Sequence, residues 1–375
     1  MKKVAWLLVL MVGCIDPYMP SEIKPAGAIL VIDGHIDPIG KSFIKLTRSQ
    51  NLFENGGTEK VNGAAVFLEN ENGVKYPLTA EGNGNYSLAP RSFASLKHRL
   101  TVKTADAKEY ASDFVVIKDS PPLDSVTWAV TSDLGVEIYA NTHSAETNVG
   151  YYRWKFEETW QYTAAFQSVY VYNTVNRSVQ LRQDDIFHCW QSQSSSDILI
   201  SSSSHLSENI ISKFPLTNIE QRAERLRYTY SILAKQYSIT EEAYLYWKEL
   251  KKTTEDLGTI FSPMPSQVAG NFTCLTNPEE PVLGYFSIGA LAEKRIFIHS
   301  TQLPRPNTYK NSYESCQVSE LLNENVSTFF SAPYLLAGGI PNPNGPGIIG
   351  YYYSPSSCVD CRSAGGKNVK PDFWP

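Results

Sequence analysis

The sequence is short of charge, and beyond its first residues it has no long apolar run. Charged side chains make up 19% of the 375 residues, and the formal net charge is −5 at pH 7. Proteins that bind nucleic acid present a basic face to the phosphates, so this balance argues against nucleic acid as a partner. No later segment reaches the roughly 20 apolar residues that a transmembrane helix requires.

Familiar catalytic and metal-binding motifs are also missing. There is no glycine-rich phosphate loop with a lysine, no HExxH helix and no aspartate-rich calcium loop. The histidines are scattered, and the run Ser201–Ser204 before His205 lacks the Gly-x-Ser-x-Gly turn of a serine hydrolase. We therefore predict no catalytic residue, no bound metal and no cofactor.

Cysteine is scarce, with six in the whole chain. Cys358 and Cys361 form a CxxC motif, which could be half of a zinc site, a redox couple or a pair of disulfide partners. No second CxxC or histidine cluster accompanies it, and the Gly- and Pro-rich tail is an unsuitable setting for a redox couple. We predict that Cys316 bonds to one of the two, and that Cys189 or Cys274 bonds to the other. These pairings require an oxidising compartment.

The N terminus indicates that compartment. Lys2 and Lys3 precede nine apolar residues, Val4–Val12, which are followed directly by Gly13 and Cys14. Nine residues are too few to cross a bilayer and are typical of an export signal. The cysteine at the expected cleavage point resembles a bacterial lipobox, with an unusual methionine three positions ahead of it. We predict a signal peptide over residues 1–13 and a lipid on Cys14, which would anchor the mature chain.

Processing at this position changes the charge and suggests a location. Loss of the two lysines moves the formal charge from −5 to −7. Ile15 follows the cysteine where an aspartate would favour retention in the inner membrane, so we expect an outer-membrane lipoprotein. Whether it faces the cell surface or the periplasm stays open. Residues 14–28 are rich in proline, lack periodicity and are interpreted as a tether.

The rest of the chain is predicted to be mainly β, in two β-sandwich domains. Residues 29–118 contain short alternating runs separated by Asn- and Gly-rich turns, as in β-hairpins. The stretch from Gly63 to Tyr86 resembles immunoglobulin-like modules of the carboxypeptidase-regulatory type. Residues 119–300 are predicted to form a fibronectin-like sandwich with a helix at about 240–257, capped by Thr240 or by a Ser238–Glu241 capping box. Residues 301–375 are expected to be irregular, packed on the second domain and pinned by disulfides.

One strand of the second domain carries a conspicuous pattern, YYRWKFEETWQYTAAF from residue 151. Its aromatic residues share one parity and should be buried, whereas Arg153, Lys155 and Glu157 share the other. Arg153, Glu157 and Glu158 could form a ligand-binding or catalytic set. Adjacent residues of a strand point to opposite faces, however, so the two glutamates cannot act as a dyad. A packed strand with cross-strand charge partners is the preferred interpretation.

Several segments together resemble a family of Bacteroidota outer-membrane lipoproteins known as a domain of unknown function. They are CIDPY at 14–18, YYRWKFEETWQY at 151–162, HCW and DILISSSSHLSEN within 188–209, LRYTYSILAKQYSITEEAYLYW at 226–247, EEPVLGYFSI and EKRIFI within 279–298, and the closing CVDCRSAGGKNVKPDFWP. Genes of this family often lie beside those of TonB-dependent receptors. The resemblance implies an accessory of such a receptor and assigns no catalytic residue.

These observations favour a non-catalytic outer-membrane lipoprotein that helps a TonB-dependent transporter to capture or retain a ligand. The tyrosine-rich C-terminal part is the candidate recognition surface, because aromatic residues are enriched at interfaces. Two other classes stay open: an exported hydrolase of unknown substrate, and a structural or adhesive surface protein. The identity of the ligand does not follow from the sequence.

Overall fold

The structure of the chain is a computed structural model that describes residues 28–49, 58–145, 149–254, 268–304, 306, 308–310, 313–329 and 333–375. The predicted signal peptide, Cys14 and the tether up to residue 27 lie outside the described residues. The described chain is mainly β, as the sequence predicts. Within these ranges, no helix has both the length and the apolar character needed to cross a membrane.

The strands of the described residues, in chain order, have the following bounds: β1 (Leu30–Ile36), β2 (Ser42–Arg48), β3 (Ala65–Asn70), β4 (Lys75–Pro77), β5 (Thr79–Gly82), β6 (Asn85–Leu88), β7 (His98–Lys103), β8 (Glu109–Ser112), β9 (Leu123–Val130), β10 (Val136–His143), β11 (Tyr151–Thr163), β12 (Tyr170–Asn173), β13 (Ser178–Leu181), β14 (His188–Ser194), β15 (Leu199–Ser202), β16 (Ile210–Ile219), β17 (Thr229–Ser238), β18 (Phe272–Cys274), β19 (Val282–Gly284), β20 (Ser287–Ile288), β21 (Ala292–His299), β22 (Ser319–Leu322), β23 (Tyr334–Pro341) and β24 (Ile348–Pro355). The α-helices are α1 (Glu241–Thr254), α2 (Val326–Phe329) and α3 (Ser356–Val359), and short 3₁₀ turns cover Glu224–Leu226, Ser300–Gln302, Asn323–Asn325 and Cys361–Ala364.

The first sandwich packs the sheet β19-β1-β2-β6-β5, in which β20 also pairs with β1, against the sheet β18-β8-β7-β3-β4. Alternation in sequence produces its core: in β2, Ile44 and Leu46 are buried whereas Phe43 and Lys45 are exposed. The turn between β5 and β6 has Asn83 and Gly84 at positive φ, 52° and 74°. Asn-Gly is the favoured pair for such a hairpin turn, so the predicted turn signal is confirmed here.

Three strands of the first sandwich come from far along the chain, which corrects the predicted boundary at residue 118. β18 pairs antiparallel with β8, and β19 and β20 pair parallel with β1. Phe272, Val282 and Ile288 are buried in the first core, not the second. Their segments have the alternation of strands, but two or three residues do not reveal which sheet they will join. A Cβ at Gly284 would clash with the carbonyl of Ile32, so the parallel approach of β19 to β1 depends on glycine.

The second sandwich packs β16-β10-β9 against β14-β11-β17-β21, with β15 also pairing with β11. This distribution of strands between two sheets is that of a fibronectin type III domain, as predicted. The core contains the aromatic row of β11: Tyr152, Trp154, Phe156, Trp160 and Tyr162 are all buried. Trp154 is fully enclosed, and its indole Nε1 donates to Ser201 Oγ at 2.9 Å.

The connection from β17 to β21 links the two sandwiches. It contains α1 and then β18, β19 and β20, so the second sandwich supplies strands to the first before its own last strand forms. Helix α1 begins after Thr240, whose Oγ1 accepts from the Ala243 amide at 3.3 Å. The predicted helix at 240–257 is thus present to Thr254, and residues 255–257 lie outside the described residues.

His35 fixes the contact between the sandwiches. Its Nε2 lies 2.6 Å from the carbonyl of Gly289, which can only accept, so Nε2 carries the hydrogen. Nδ1 therefore accepts from the Ser287 hydroxyl at 2.9 Å. The ring also meets Tyr237 of β17 edge-on, with ring centroids 4.9 Å apart. A neutral imidazole satisfies all of these contacts.

Residues 301–375 are more regular than predicted. β22, β24 and β23 form a three-stranded sheet in that order, and the hairpin β12–β13 from the second domain packs beside it. The segment LLAGGIPNPNGPG, expected to be irregular, contains β23 and the turn into β24. A register shift between Leu336 and Gly338 interrupts the alternation that would otherwise have identified the strand.

One disulfide joins this region to the second sandwich, and another closes a loop within the region. Cys316 bonds to Cys358 and Cys189 bonds to Cys361, so each cysteine of the CxxC motif has a separate partner. The predicted pairing of Cys316 with the motif is confirmed, and Cys189 is the second partner. Cys274 is free, which corrects its inclusion among the disulfide candidates. It is fully buried on β18 in the core of the first sandwich, whereas the motif is held against the second.

We predict that the neutral state of His35 makes stability depend on pH. Burial lowers the pKa of His35 from 6.5 to about 4. Between those values the unfolded chain binds more protons than the folded one, so stability is lost as the pH falls, by at most about 3 kcal/mol. Urea unfolding of the His35→Gln variant should show a shallower loss between pH 6.5 and 4 than the unsubstituted chain. The same substitution at the exposed His205 should not change the slope, and parallel slopes for the two variants would contradict the prediction.

We also predict that the two disulfides contribute unequally. They span 172 and 42 residues, and the chain-entropy argument gives each about 2–4 kcal/mol, with about 1 kcal/mol more for the longer loop. The Cys189→Ser/Cys361→Ser pair should therefore be less stable to urea than the Cys316→Ser/Cys358→Ser pair. If reducing agent left the stability of the unsubstituted chain unchanged, the disulfides would not be stabilising.

Candidate functional site

The carboxylates and the guanidinium predicted on β11 do not form one site. Glu158 points into the core, where Arg225 Nη1 lies 2.8 Å from both of its oxygens and the Tyr230 hydroxyl donates to it at 2.5 Å. Glu157 points the other way and pairs with Lys235 at 2.5 Å. The prediction that the two glutamates lie on opposite faces is confirmed.

Glu158 is part of an internal polar group. It is 3% exposed and forms an ion pair with Arg225. Burial, and then the charge of Glu158, raise the pKa of Tyr230 well above its usual value, so the tyrosine stays a hydrogen-bond donor. The arrangement satisfies a buried charge, and its burial leaves no access for an external ligand.

The serine run near His205 is used in packing. Ser201 accepts from Trp154, and the Ser203 hydroxyl accepts from the amide of Gly150 at 2.8 Å. Ser202 and Ser204 bond to each other at 2.9 Å. These hydroxyl groups therefore tie β15 and the loop after it to the start of β11. Among the described residues, no three His, Cys, Asp or Glu side chains come together as potential metal ligands.

The C-terminal tail docks on the second sandwich as predicted, mainly through its glycines and aromatic residues. Tyr162 donates to the carbonyl of Cys361 at 2.7 Å and accepts from the amide of Gly366 at 3.0 Å. A Cβ at Gly366 would clash with the Tyr162 hydroxyl, so glycine is required there. Trp374 packs edge-on against Trp190 and Phe297. Arg362 pairs with Asp360 in its own turn, at 2.6 Å, and does not contribute to this docking.

We define the C-terminal layer as the hairpin β12–β13 together with the sheet β22-β24-β23. Its tyrosines alternate along β24: Tyr352 packs on the small core around the Cys316–Cys358 bridge, whereas Tyr351 and Tyr353 lie on the other face. Tyr351 meets Tyr170 with ring centroids 5.1 Å apart, and Tyr353 meets Tyr334 at 5.5 Å. Part of the predicted recognition surface is therefore engaged in packing within the layer.

The two most exposed apolar side chains of this layer lie on the hairpin. Val175 at its turn is 92% exposed and Leu181 at its end is 61% exposed. Val169, Ile349 and Tyr334 are also exposed nearby. Grouped exposed apolar residues mark interaction sites more often than single ones do. The layer as a whole, more than its tyrosines, is the candidate surface for a partner.

A second candidate site lies near the start of β11. The sequence predicted the outward position of its two cations but not the residues that they contact. The Arg153 guanidinium stacks on the indole of Trp247 in α1, 3.4 Å from the ring centroid. Lys155 lies 3.7 Å from Asp33 of β1. The alternation of β11 placed Arg153 and Lys155 on the outer face, but Trp247 and Asp33 come from a helix and a strand whose positions are set by the fold.

Two shallow grooves lie elsewhere on the surface. One, of about 700 Å³, runs along the first sandwich past Phe93, Lys97 and Asp119. The other, of about 570 Å³, lies between β14 and the tail, lined by Trp190, Lys367 and Phe373. Neither brings together the titratable groups of β11.

Comparisons with known proteins support this picture only at the level of family. No curated protein matches the sequence. Solved structures that match include the FN1–FN3 domains of chicken CNTN1, at 15% identity and a TM-score of 0.18. That alignment covers 56% of this chain and 63% of the other, so the chain spans less than two thirds of the protein it matches.

The family comparison covers much more of the chain. The model of a domain of unknown function, DUF4249, matches residues 15–295, well over half of the sequence. The matched segment contains the core of the first sandwich, most of the core of the second and α1, and it stops before the CxxC motif at 358–361. The chain belongs to the DUF4249 family of domains of unknown function.

Proposed function

We propose that this chain is a lipid-anchored, non-catalytic binding protein of the outer membrane that serves a TonB-dependent nutrient transporter. The observation that carries the proposal is the C-terminal layer: a disulfide-fixed surface whose two most exposed apolar side chains lie on one hairpin. The N-terminal export signal and Cys14 support the anchor, and the family resemblance suggests the Bacteroidota context and the receptor.

The positions of the tether and the C-terminal layer relative to the two sandwiches suit this role. β1 begins at Leu30, directly after the tether, and ends at His35 and Ile36 beside the second sandwich. β11 begins beside α1 and ends at Tyr162, which holds the tail. A strand of 13 residues spans about 40 Å, so the C-terminal layer lies at the end remote from the tether. Anchoring at Cys14 leaves it free for a partner.

Rigidity favours the C-terminal layer as a docking surface. The Cys316–Cys358 bridge joins the residues just before β22 to those just after β24. The hairpin is attached through Ser168, whose hydroxyl donates to the carbonyl of Leu336 at 2.6 Å. A surface that is already ordered loses less conformational entropy on binding. Exposed Val175 and Leu181 can then contribute burial of apolar area without reorganisation of the layer.

We predict that a Val175→Asp/Leu181→Asp variant loses its receptor. Tagged, lipidated chain recovered from outer membranes of the bacterium that encodes it should bring a β-barrel receptor with it, and the variant should retain at most a tenth, because two apolar contact residues become charged. Val74→Asp, an exposed position of the first sandwich, is the matched control and should retain the receptor. Recovery of the unsubstituted chain without any β-barrel protein would refute the proposal.

We further predict that Cys14→Ala abolishes lipid attachment. The unsubstituted chain should incorporate labelled palmitate and partition into the detergent phase of Triton X-114, whereas Cys14→Ala should do neither. Cys274→Ala, which removes the buried free thiol, controls for loss of any cysteine and should remain labelled. Equal labelling of the Cys14 and Cys274 variants would show that the anchor is elsewhere or absent.

A further inference from the structure

A positively charged recess lies where β11 meets the first sandwich and α1. Arg153 and Lys155 are two residues apart on β11, so their side chains leave the same face of the sheet. This is the face opposite the aromatic core. Lys235 of β17 lies directly across from Lys155 in the register of the two strands. Three cations therefore occupy neighbouring positions.

The nearby carboxylates are unevenly distributed among these cations. Lys235 contacts Glu157 at 2.5 Å and Glu293 at 3.5 Å. Lys155 has Asp33, at the longer distance of 3.7 Å. Asp33 is also the acid that chiefly supports the charge of Arg153. One carboxylate thus serves two cations, and the Arg153–Lys155 end of the row has an excess of positive charge.

Arg153 has unused hydrogen-bonding capacity. Its guanidinium is stacked on Trp247, which is 9% exposed, and within the described part of the chain it donates no side-chain hydrogen bond. A guanidinium has five N–H donors in a planar fork that fits a carboxylate or a similar oxyanion. The stacking fixes the plane of this fork, which reduces the ordering needed on binding.

Burial disfavours the charged forms of both cations relative to the same groups in water. Burial lowers the pKa of Arg153, and burial together with the charge of Arg153 lowers the pKa of Lys155. The recess nevertheless opens to solvent, since the side chains of Lys155 and Asp33 are 34% and 51% exposed. An anion can therefore reach the two cations and relieve their repulsion.

We propose that Arg153 and Lys155 bind an oxyanion group of a small ligand, either a carboxylate or a sulfate or phosphate group. Arg153 supplies a bidentate pair of donors, Lys155 supplies a point charge, and Trp247 holds the Arg153 side chain in place. Tyr237, the cross-strand neighbour of Arg153, lies on the same face of the sheet. His35 stays neutral and committed to Ser287 and Gly289, so it takes no part in charge recognition.

This site goes beyond the proposed function, because it is separate from the C-terminal layer. Arg153 lies near the start of β11, and Tyr162, which holds the tail, lies near its end. The Val175→Asp/Leu181→Asp variant should therefore bind anions as the unsubstituted chain does. Loss of the receptor and loss of the anion are distinguishable outcomes.

The test is isothermal titration calorimetry of the full-length mature chain in detergent, at low ionic strength. Glucuronate is the carboxylate probe, inorganic sulfate is the tetrahedral probe, and glucose is the neutral control. Binding of either anion, together with no binding of glucose, supports the site. The anion that binds more tightly identifies the preferred oxyanion. Affinity should fall with added salt, because the attraction is electrostatic.

The variants assign the binding to the two residues. Lys155→Gln and Arg153→Lys should each weaken binding about tenfold or more, the first by removing a charge and the second by removing the planar fork. Lys213→Gln on β16, an exposed lysine, is the matched control and should bind as the unsubstituted chain does. The proposal is overturned if neither anion binds, if glucose binds equally well, or if Lys155→Gln and Lys213→Gln have the same affinity.

Discussion

Burial of the aromatic row of β11 is the interaction on which the rest of the molecule depends. Five large rings enter the core of the second sandwich from one strand, among them Trp154, which packs in parallel with Phe214 at 5.3 Å. Each fully buried aromatic side chain contributes on the order of 2–3 kcal/mol. With the even positions committed to the core, the odd positions must face outward. The charges at 153, 155 and 157 are therefore displayed because the rings are buried.

The two sandwiches are joined by an exchange of strands as well as by contact. The chain leaves the second sandwich after β17, completes both sheets of the first with β18, β19 and β20, and returns as β21. The first sandwich therefore cannot complete its sheets before residues 272–288 have been synthesised. The two domains form one interdependent unit, and the polar contacts of His35 with Ser287 and Gly289 hold β1 to the inserted strands at the junction.

The features that could be predicted from the sequence are those with a local cause. The parity of β11 and the position of α1 follow from periodicity and capping. The assignment of the CxxC motif to disulfides follows from the absence of other metal ligands and from the predicted export signal. Contacts between residues that are far apart in the sequence could not be predicted. Glu158 shares the buried parity, yet Arg225 and Tyr230 lie 67 and 72 residues further along the chain. β18–β20 were assigned to the wrong sandwich for the same reason, and a register shift concealed β23.

β11 carries the proposed anion site near its start and holds the C-terminal tail near its end, so the question arises whether the two proposed surfaces are coupled. Coupling between distant sites requires an element with two alternative arrangements that both sites can bias. β11 is paired with β17 on one side and with β14 and β15 on the other along most of its length, and its rings are fixed in a close-packed core. A shift of one residue would expose the aromatic row and bury the charges. β11 therefore acts as a rigid spacer, and an anion at Arg153 and a partner at the C-terminal layer should bind independently.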